Sequence, residues 1–394
     1  MSHSDIHDLE SRLERVRSIV RDILIPLERR IDQEDKLPDH VLYLYRTEGW
    51  FGLTVPREFG GQGLPMTVAV RIMQEIGFSA PVFSSWLMTS SGVVSAAYRL
   101  GGNAEQQREY LPKLASGELI GAVGVTDGEN GGSDLAMVGT TARLDGDRLI
   151  LNGRKRYVGL AAVAGVILIL CRLESQVARA RKLILVAVPG NVPGLVFEKK
   201  SRCLGLRGVP LVDFELKDCI VPVSAVIGSL AVNGLALFAR ALDYGHLMLA
   251  ASHAGLIGRL IHEAVCGAAS RRRFGRFLID QPVIQQSIAA MTVDRMASDA
   301  LTDAAARLAD QGQPFSMEAT AAKIFATEAS CRSADRAVQI LGADGVLEGS
   351  PVEQFYRDVR GGRLMEGANE VLASTIASHA VSGELRRANG AKSL

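Results

Sequence analysis

Residues 119–153, LIGAVGVTDGENGGSDLAMVGTTARLDGDRLILNG, mark the place where the chain changes from a helical to an extended pattern. Before this stretch, apolar residues recur at three- and four-residue steps; within it they alternate with polar residues and are interrupted by turn signals. Asp145-Gly146 separates the alternating runs 140–144 and 148–151, which is typical of an antiparallel hairpin. Asn152-Gly153 predicts a further turn. We therefore expect a compact β domain in the middle of the chain.

Helical patterns flank this β domain on both sides. From Leu9 to about residue 115 the apolar spacing is helical, and we expect Pro26 to end or bend the first helix. Long amphipathic runs return from about residue 231, with Ser316 as the expected N-cap of one of them. The runs that predict helices there are 237–270, 282–309, 316–341 and 367–388. The predicted fold is α+β multidomain, with an N-terminal helical domain (1–118), a central antiparallel β-barrel-like domain (119–229) and a C-terminal four-helix bundle (230–394).

Composition excludes several classes of protein. The chain of 394 residues carries 44 Lys and Arg against 43 Asp and Glu, and its formal charge of +1 gives no general attraction to nucleic acid or an anionic membrane. The longest apolar run, 161–171, is shorter than the ~18 residues that a membrane span requires. The five cysteines lie far apart in the sequence, which favours reduced thiols in the cytoplasm and argues against a metal site. The N-terminus has neither the apolar stretch of a secretory signal nor the pattern of a transit peptide.

Three groups of residues could carry chemistry, and each also has a purely structural explanation. The Gly-rich loop 125–134 could bind phosphate or a polar ring edge through backbone N–H groups, or it could be a long surface turn. The four arginines within 271–276 could clamp a pyrophosphate, or they could stabilise a helix C-terminus. Glu366 could be a general base with a raised pKa, or an ordinary carboxylate in the first turn of a helix. Hydrolase, P-loop and Rossmann interpretations have no support because their motifs are absent.

Taken together, these segments resemble the acyl-CoA dehydrogenase family of flavoproteins over residues 10–385. The resemblance implies a three-domain fold of the kind predicted above, FAD as the cofactor, and oxidation of an acyl thioester, bound to CoA or a carrier protein, to its α,β-unsaturated form. It also implies a homodimer or homotetramer, and an electron-transfer flavoprotein as electron acceptor. The stretches that carry it are VPREFGGQGL (55–64), LPKLASGELIGAVGVTDGENGGSD (111–134), LNGRKRYVG (151–159), LKDCIVP (216–222), SRRRFGR (270–276), AVQILGADGV (337–346) and RDVRGGRLMEGANE (357–370).

The resemblance also implies roles for individual positions. Glu366 matches the base that removes the α-proton while the β-hydride passes to flavin N5. Asp243, His246 and Gly367 match substrate-binding positions, and no metal ligand is implied. The positions that match cofactor-binding residues are Val125, Thr126, Ser133, Tyr157, Val158, Gly159, Arg271, Arg273, Phe274, Gln339, Gly342, Ala368 and Glu370. The positions in this set that match groups reaching the FAD of a neighbouring subunit are Arg271, Phe274, Gln339 and Gly342.

Several positions depart from the family's pattern. Gly159 stands where Thr or Ser is usual, so a side-chain hydrogen bond to flavin N5 is absent. A flavin-dependent oxidase or monooxygenase on the same fold is therefore a second hypothesis, although the retained Glu366 favours a dehydrogenase. A flavin-free helical oligomer is a third hypothesis, which the motifs around Arg271 and Gln339 disfavour. The other departures are Tyr157 for Trp, Ala368 for Thr, His246 for the Arg of some members, Pro282 for Gln, and a loop 126–134 that is one residue longer and lacks its Pro.

Overall fold

The computed structural model describes residues 3–128, 132–174 and 182–390. The N-terminal part is helical, as the apolar spacing predicts, because its apolar stripes enclose a core that includes the fully buried side chains of Tyr45, Phe51 and Phe83. Its α-helices are α1 (His3–Ile19), α2 (Ile25–Glu34), α3 (Asp39–Thr47), α4 (Met66–Gly77), α5 (Pro81–Leu87), α6 (Ser95–Gly101) and α7 (Ala104–Ser116).

The prediction that Pro26 ends or bends the first helix is wrong about the ending. Helical backbone runs on through a π-helical segment, Val20–Leu24, into α2, which continues to Glu34. Pro26 lies in the first turn of α2. A proline has no backbone N–H to donate, and the wider π-helical turn before it accommodates the missing hydrogen bond. A second π-helical segment, Met88–Val94, joins α5 to α6. It brings the chain close to the candidate site described below.

The middle of the chain forms a seven-stranded sheet in the order β1–β4–β2–β3–β7–β6, with β5 paired to β4. The antiparallel expectation holds for four strand pairs, but β4 runs parallel to both β1 and β2. Parallel neighbours need a crossover connection, and local turn signals do not reveal which distant strands will pair. The strands are β1 (Gly121–Gly124), β2 (Thr141–Asp145), β3 (Arg148–Gly159), β4 (Val166–Glu174), β5 (Lys182–Pro189), β6 (Leu195–Phe197) and β7 (Leu211–Pro222).

The two predicted turns in this sheet have different outcomes. Asp145-Gly146 is the hairpin turn between β2 and β3, with Gly146 at a φ of +62°. Asn152-Gly153 lies inside β3, so the prediction of a turn there is wrong. Gly153 adopts a φ of +150° at an irregularity in the pairing with β7, and a Cβ at this position would come within 2.7 Å of the Thr140 backbone. The dipeptide therefore serves a β-bulge and a close strand approach rather than a chain reversal.

The C-terminal part contains the four predicted long helices and one shorter helix, α11, that the sequence patterns missed. Ser316 begins α10 but does not cap it, because its hydroxyl donates to Asp243 on α8 at 2.9 Å. Among the described residues, no helix combines the length and apolar content needed to cross a bilayer. The elements are α8 (Gly234–Ala269), the small hairpin β8 (Arg272–Arg273) and β9 (Arg276–Phe277), α9 (Pro282–Asp310), α10 (Ser316–Leu341), α11 (Pro351–Gly362) and α12 (Asn369–Gly390).

Candidate functional site

The turn between α11 and α12 presents a glutamate, Glu366, with an unusual backbone conformation. Glu366 has a φ of +54° and Gly367 a φ of +100°, so two consecutive residues occupy the left-handed region, which is strained for a glutamate. The N–H of Asn369 closes the turn on the carbonyl of Arg363 at 3.0 Å. Glu366 precedes α12 by three residues, so it is not the first-turn carboxylate that the structural explanation required.

Glu366 is half-buried as a residue, and its carboxyl group packs against α8 and the π-helical segment through Oε2. Its Oε2 is shielded from solvent and has no hydrogen-bond partner among the described residues. Burial raises the pKa of Glu366 to about 8, and the nearby ammonium of Lys323 opposes part of that rise. Gly245 on α8 leaves the space that the carboxyl group occupies, and Val93 lies on the same side. An unpaired carboxylate with a raised pKa in an apolar wall is suited to accept a proton.

Two of the three predicted substrate-binding positions, Asp243 and His246, lie on α8 on either side of Gly245. His246 shares a hydrogen bond of 2.9 Å between Nε2 and the Glu366 carbonyl, and burial lowers its pKa to about 4, which leaves the ring neutral. Its Nδ1 is buried without a partner among the described residues. Asp243 accepts from Ser316, and burial raises its pKa to about 6. The third position, Gly367, presents its carbonyl to Lys323 at 2.8 Å.

The end of β1 and an irregularity in β3 bring a second set of predicted residues together. The Arg156 N–H donates to the Thr126 carbonyl at 2.9 Å, so the start of the Gly-rich loop lies against β3. Tyr157 follows at a φ of +56°, and it is 56% exposed although it is a large aromatic residue. Asp213 holds the Tyr157 backbone N–H at 2.9 Å. Val158 is buried, so its side chain belongs to the core and its backbone is what remains for binding.

A buried ion pair that sequence analysis missed fixes the start of the Gly-rich loop. Lys155 is fully buried, and its Nζ donates to Asp127 Oδ1 at 2.6 Å and to the carbonyls of Val125 and Leu170 at 3.0 and 2.9 Å. Asp127 also accepts from the hydroxyl of Thr140 at 2.6 Å. The residues on both sides of Thr126 are therefore held, which fixes the position of its backbone. The sequence analysis missed Lys155 because it lies between Arg154 and Arg156, in a run that is typical of a solvated charged surface.

A loop of the middle domain connects this β surface to the Glu366 turn. A Cβ on Gly159 would lie 3.8 Å from Val209 and, apart from its chain neighbours, within 4 Å of no other atom of the described residues, so Gly159 has open space beside it. In the same loop, the Leu206 N–H donates to Asp358 on α11 at 2.6 Å, and the Leu206 side chain packs near Gly361. The same loop therefore contacts Gly159 on the β surface and α11, the helix that precedes the Glu366 turn.

The arginine-rich segment lies at the far end of α8. The guanidinium of Arg271 donates to the carbonyls of Leu341 and Ile340 at 2.6 and 3.0 Å and to that of Gly267 at 2.9 Å. It therefore stabilises the C-terminal ends of α8 and α10, next to Gly342. This contact agrees with the alternative explanation given above, in which the arginines stabilise a helix C-terminus. Phe274 is 95% exposed at a φ of +52°. The remaining predicted positions exposed on this face are Arg273, Gln339 and Gly342.

Three further predicted positions have simpler settings. Ser133 and Glu370 are exposed, and the carbonyl of Ala368 accepts the first hydrogen bonds of α12. Residues 129–131 of the Gly-rich loop, part of the predicted longer loop, lie outside the described residues. Where the description resumes, Gly132 runs so close to the Thr126 hydroxyl that a Cβ would overlap it. Among the described residues there is no group of three metal-ligating side chains.

Comparisons with known proteins agree on one family. Models of the acyl-CoA dehydrogenase N-terminal, middle and C-terminal domains match residues 7–118, 122–219 and 233–381. The chain is 30% identical to the 3-(aryl)acrylate reductase of Clostridium sporogenes (strain ATCC 15579), covering 93% of this chain and 97% of that protein. It is 29% identical to the mitochondrial short-chain specific acyl-CoA dehydrogenase of Homo sapiens, covering 93% and 88%. A glutaryl-coenzyme A dehydrogenase in complex with glutaryl-CoA superposes with a TM-score of 0.90 at 27% identity, covering 97% of this chain and 96% of that one.

The fold and the matches define an oxidoreductase that acts on CH–CH groups, of a class that uses FAD. The chain belongs to the acyl-CoA dehydrogenase family.

Proposed function

We propose that this protein catalyses α,β-dehydrogenation of an acyl thioester, with Glu366 as the base that removes the α-proton. The observation that carries the proposal is the buried, unpaired Oε2 of Glu366 with its raised pKa. A C–H bond next to a thioester is a weak acid, so the base must hold a proton well and work in a site from which water is excluded. The backbone N–H of Glu366 would donate to the thioester oxygen as negative charge develops there.

The residues near Glu366 support this role because they leave space for its carboxyl group and add no opposite charge on α8. His246 is neutral and contacts the Glu366 backbone, so it adds no charge that would bind the carboxylate as an ion pair. Gly245 leaves the carboxyl group room beside α8. We assign Asp243, His246 and Gly367 to the substrate side of the site. The handle of the thioester, CoA or a carrier-protein pantetheine, would lie near the Asp243 end of α8.

The chain also fits FAD at the β surface. Tyr157 is exposed in a strained conformation, and the rigidly held Thr126 lies beside it, so backbone groups and a hydroxyl converge on an open face. When bound there, FAD supplies the two-electron acceptor for the β-hydride. In our assignment Val125, Thr126, Ser133 and the backbone from Tyr157 to Gly159 bind it, with Ala368 and Glu370 at the edge of the site.

The remaining cofactor-binding positions would serve a neighbouring subunit. Gly245 and Ala269 are 24 residues apart on α8, so the Glu366 end and the Arg271 end are separated by about 36 Å. A cofactor bound beside Glu366 would therefore lie far from Arg271 of the same chain. In our proposal it contacts Arg271 of a neighbouring copy instead. The exposed Phe274 and the apolar exposed residues of α9, Val293 and Met296, support a homodimer or homotetramer. In that assembly Arg271, Arg273, Phe274, Gln339 and Gly342 would hold the distal part of FAD.

The experiment that tests the proposal compares Glu366→Gln with Glu370→Gln. Flavin absorbance is followed under anaerobic conditions while a panel of acyl thioesters is added. We expect FAD to stay bound to both variants. Reduction should fall by ~10²–10⁴ or more in Glu366→Gln, because the amide keeps the shape but cannot accept a proton. Glu370→Gln should reduce flavin much faster than Glu366→Gln, because this exposed carboxylate lies at the edge of the cofactor site and can affect FAD binding without being the base. Near-wild-type reduction in Glu366→Gln would contradict the assignment.

The electron acceptor and the compartment belong to the same proposal. We expect an electron-transfer flavoprotein to reoxidise the reduced enzyme. An oxidase or monooxygenase would instead consume oxygen in step with substrate, so oxygen uptake separates the two hypotheses. The described chain has five free cysteines, which supports a reducing cytoplasm as its location.

A second candidate is the same reaction in reverse. With a pKa near 8, Glu366 carries its proton in most ligand-free molecules at neutral pH, and that form would donate to the α-carbon of an unsaturated thioester. The Clostridium sporogenes relative is named a reductase. The rate at which chemically reduced enzyme removes the unsaturated chromophore, compared with the rate at which oxidised enzyme is bleached by the saturated thioester at the same pH, would show which direction is faster.

A further inference from the structure

Lys323 on α10 is a fully buried lysine that the proposed mechanism does not use. Its Nζ donates to the Gly367 carbonyl and to Asn369 Oδ1, both at 2.8 Å. Both acceptors are neutral, so the ammonium has no carboxylate within hydrogen-bond distance among the described residues. A buried cation without a directly bound counter-ion is costly, so its retention beside the Glu366 turn calls for an explanation.

The contacts of Lys323 bear directly on the conformation of the base. Gly367 follows Glu366, and both residues have a positive φ. By holding the Gly367 carbonyl and the Asn369 side chain, one ammonium group fixes both the turn and the first residue of α12. Its positive charge also favours the ionised form of Glu366, the opposite of what burial does to that carboxyl group.

The other titratable groups around Lys323 do not supply such a charge. On α8, burial lowers the pKa values of His246 and His253 to about 4 and about 3, so both rings are neutral. Glu328 on α10 is paired with Arg363 at 2.7 Å. On α12, Glu370 is exposed. Within the described part of the chain, Lys323 is therefore the buried charge that acts on the base. Burial lowers the pKa of Lys323 itself to about 8, so it exerts this effect below that pH.

We propose that Lys323 is a positioning residue for Glu366: its hydrogen bonds hold the turn in its strained conformation, and its charge sets the pH at which the buried carboxylate becomes available as a base. This inference rests on the proposed function only for its catalytic consequence. The effect on the protonation of Glu366 can be measured without turnover.

The test uses Lys323→Met, Lys323→Gln and the matched control Thr327→Val in the FAD-loaded protein. Met removes charge and donors, whereas Gln retains donors without charge. Thr327→Val disturbs the same network, since Thr327 accepts from Asn369 Nδ2 at 3.1 Å, but it removes no charge. The protonated carboxyl stretch of Glu366 is followed by infrared difference spectroscopy across pH, and it is assigned by its absence from Glu366→Gln.

Loss of the charge should move the Glu366 midpoint upward by about 1 pH unit or more in both lysine variants, and not in Thr327→Val. The alkaline rise of thioester-driven flavin reduction should move by the same amount. Unchanged infrared midpoints in folded, FAD-containing Lys323→Met and Lys323→Gln would overturn the inference. If the infrared midpoint moves but reduction does not depend on Glu366, the inference stands and the proposed function fails.

Discussion

Gly245 offers a sharp test of whether the space around the Glu366 carboxylate matters. A Cβ on Gly245 would lie 2.6 Å from Val93 Cγ2 and closer still to Glu366 Oε2. Carbon atoms pack best at about 3.5–4.0 Å, so the methyl group of Gly245→Ala demands a displacement of about 1 Å. The carboxyl group is the element free to yield, because Val93 belongs to a packed helical segment and α8 is held along its length.

The expected cost follows from that displacement. A misplacement of about 1 Å at a reacting group can reduce the rate by about 10²-fold, so we expect thioester-driven flavin reduction in Gly245→Ala to fall by ~10–10². The FAD content should stay at the wild-type value because no flavin-side residue is touched. Anaerobic stopped-flow bleaching measures the rate, and visible absorbance of the purified protein measures occupancy.

Gly92→Ala is the matched control for this variant. It also adds one methyl group beside α8, but its nearest neighbour is the flexible Met248 side chain at 3.0 Å rather than the base. We expect its reduction rate to stay within about threefold of wild type. A Gly245→Ala protein that reduces flavin as fast as Gly92→Ala would refute the view that Gly245 makes room for the base.

Three further predictions address the cofactor. Arg271→Ala should lower both the melting temperature and FAD retention, the latter by ~10-fold, because each lost charge-assisted hydrogen bond contributes about 1.5–3 kcal/mol; equal melting and equal FAD content would contradict it. Gly159→Thr should fill the space near Val209 and favour straight-chain over branched thioesters, so an unchanged ratio of flavin reduction rates for the two would count against it. Lys155→Met leaves Asp127 buried and unpaired, which should cost about 3–5 kcal/mol in free energy of unfolding and weaken FAD binding, with denaturant titration and flavin absorbance as the measurements.

The fold could be predicted as far as its signals are local. The Asp145-Gly146 turn was correct because a two-residue hairpin depends on the dipeptide itself. Asn152-Gly153 was wrong because a glycine with positive φ serves a bulge as well as a turn, and only the distant Thr140 distinguishes them. The parallel pairing of β4 was missed for the same reason, since its partners lie far away in the chain.

In the candidate site, too, the residues in local motifs could be predicted, and those that depend on distant packing could not. Glu366 and Tyr157 could be singled out because they lie in short motifs, and both have a positive φ in the structure. Lys323 is 44 residues from Gly367, and its contacts with the turn arise only when α10 packs against it. Gly245 gives no signal in sequence because its contribution is empty space. In our proposals Lys323 and Gly245 position Glu366 but do not react with the substrate themselves.

The opposing influences on Glu366 explain why one carboxylate could serve both directions of the reaction. Burial alone would hold the proton so tightly that release to water during each turnover would be slow. Lys323 alone would keep the carboxylate ionised and weaken it as a base. Together they leave its pKa at about 8. Under the proposed function, a group with a pKa near the working pH can both take and return a proton. The substrate and the redox partner set the direction of net turnover. Under the proposal, the protonation state of Glu366 affects only the rate: the carboxylate starts dehydrogenation, and the protonated form starts reduction of an unsaturated thioester.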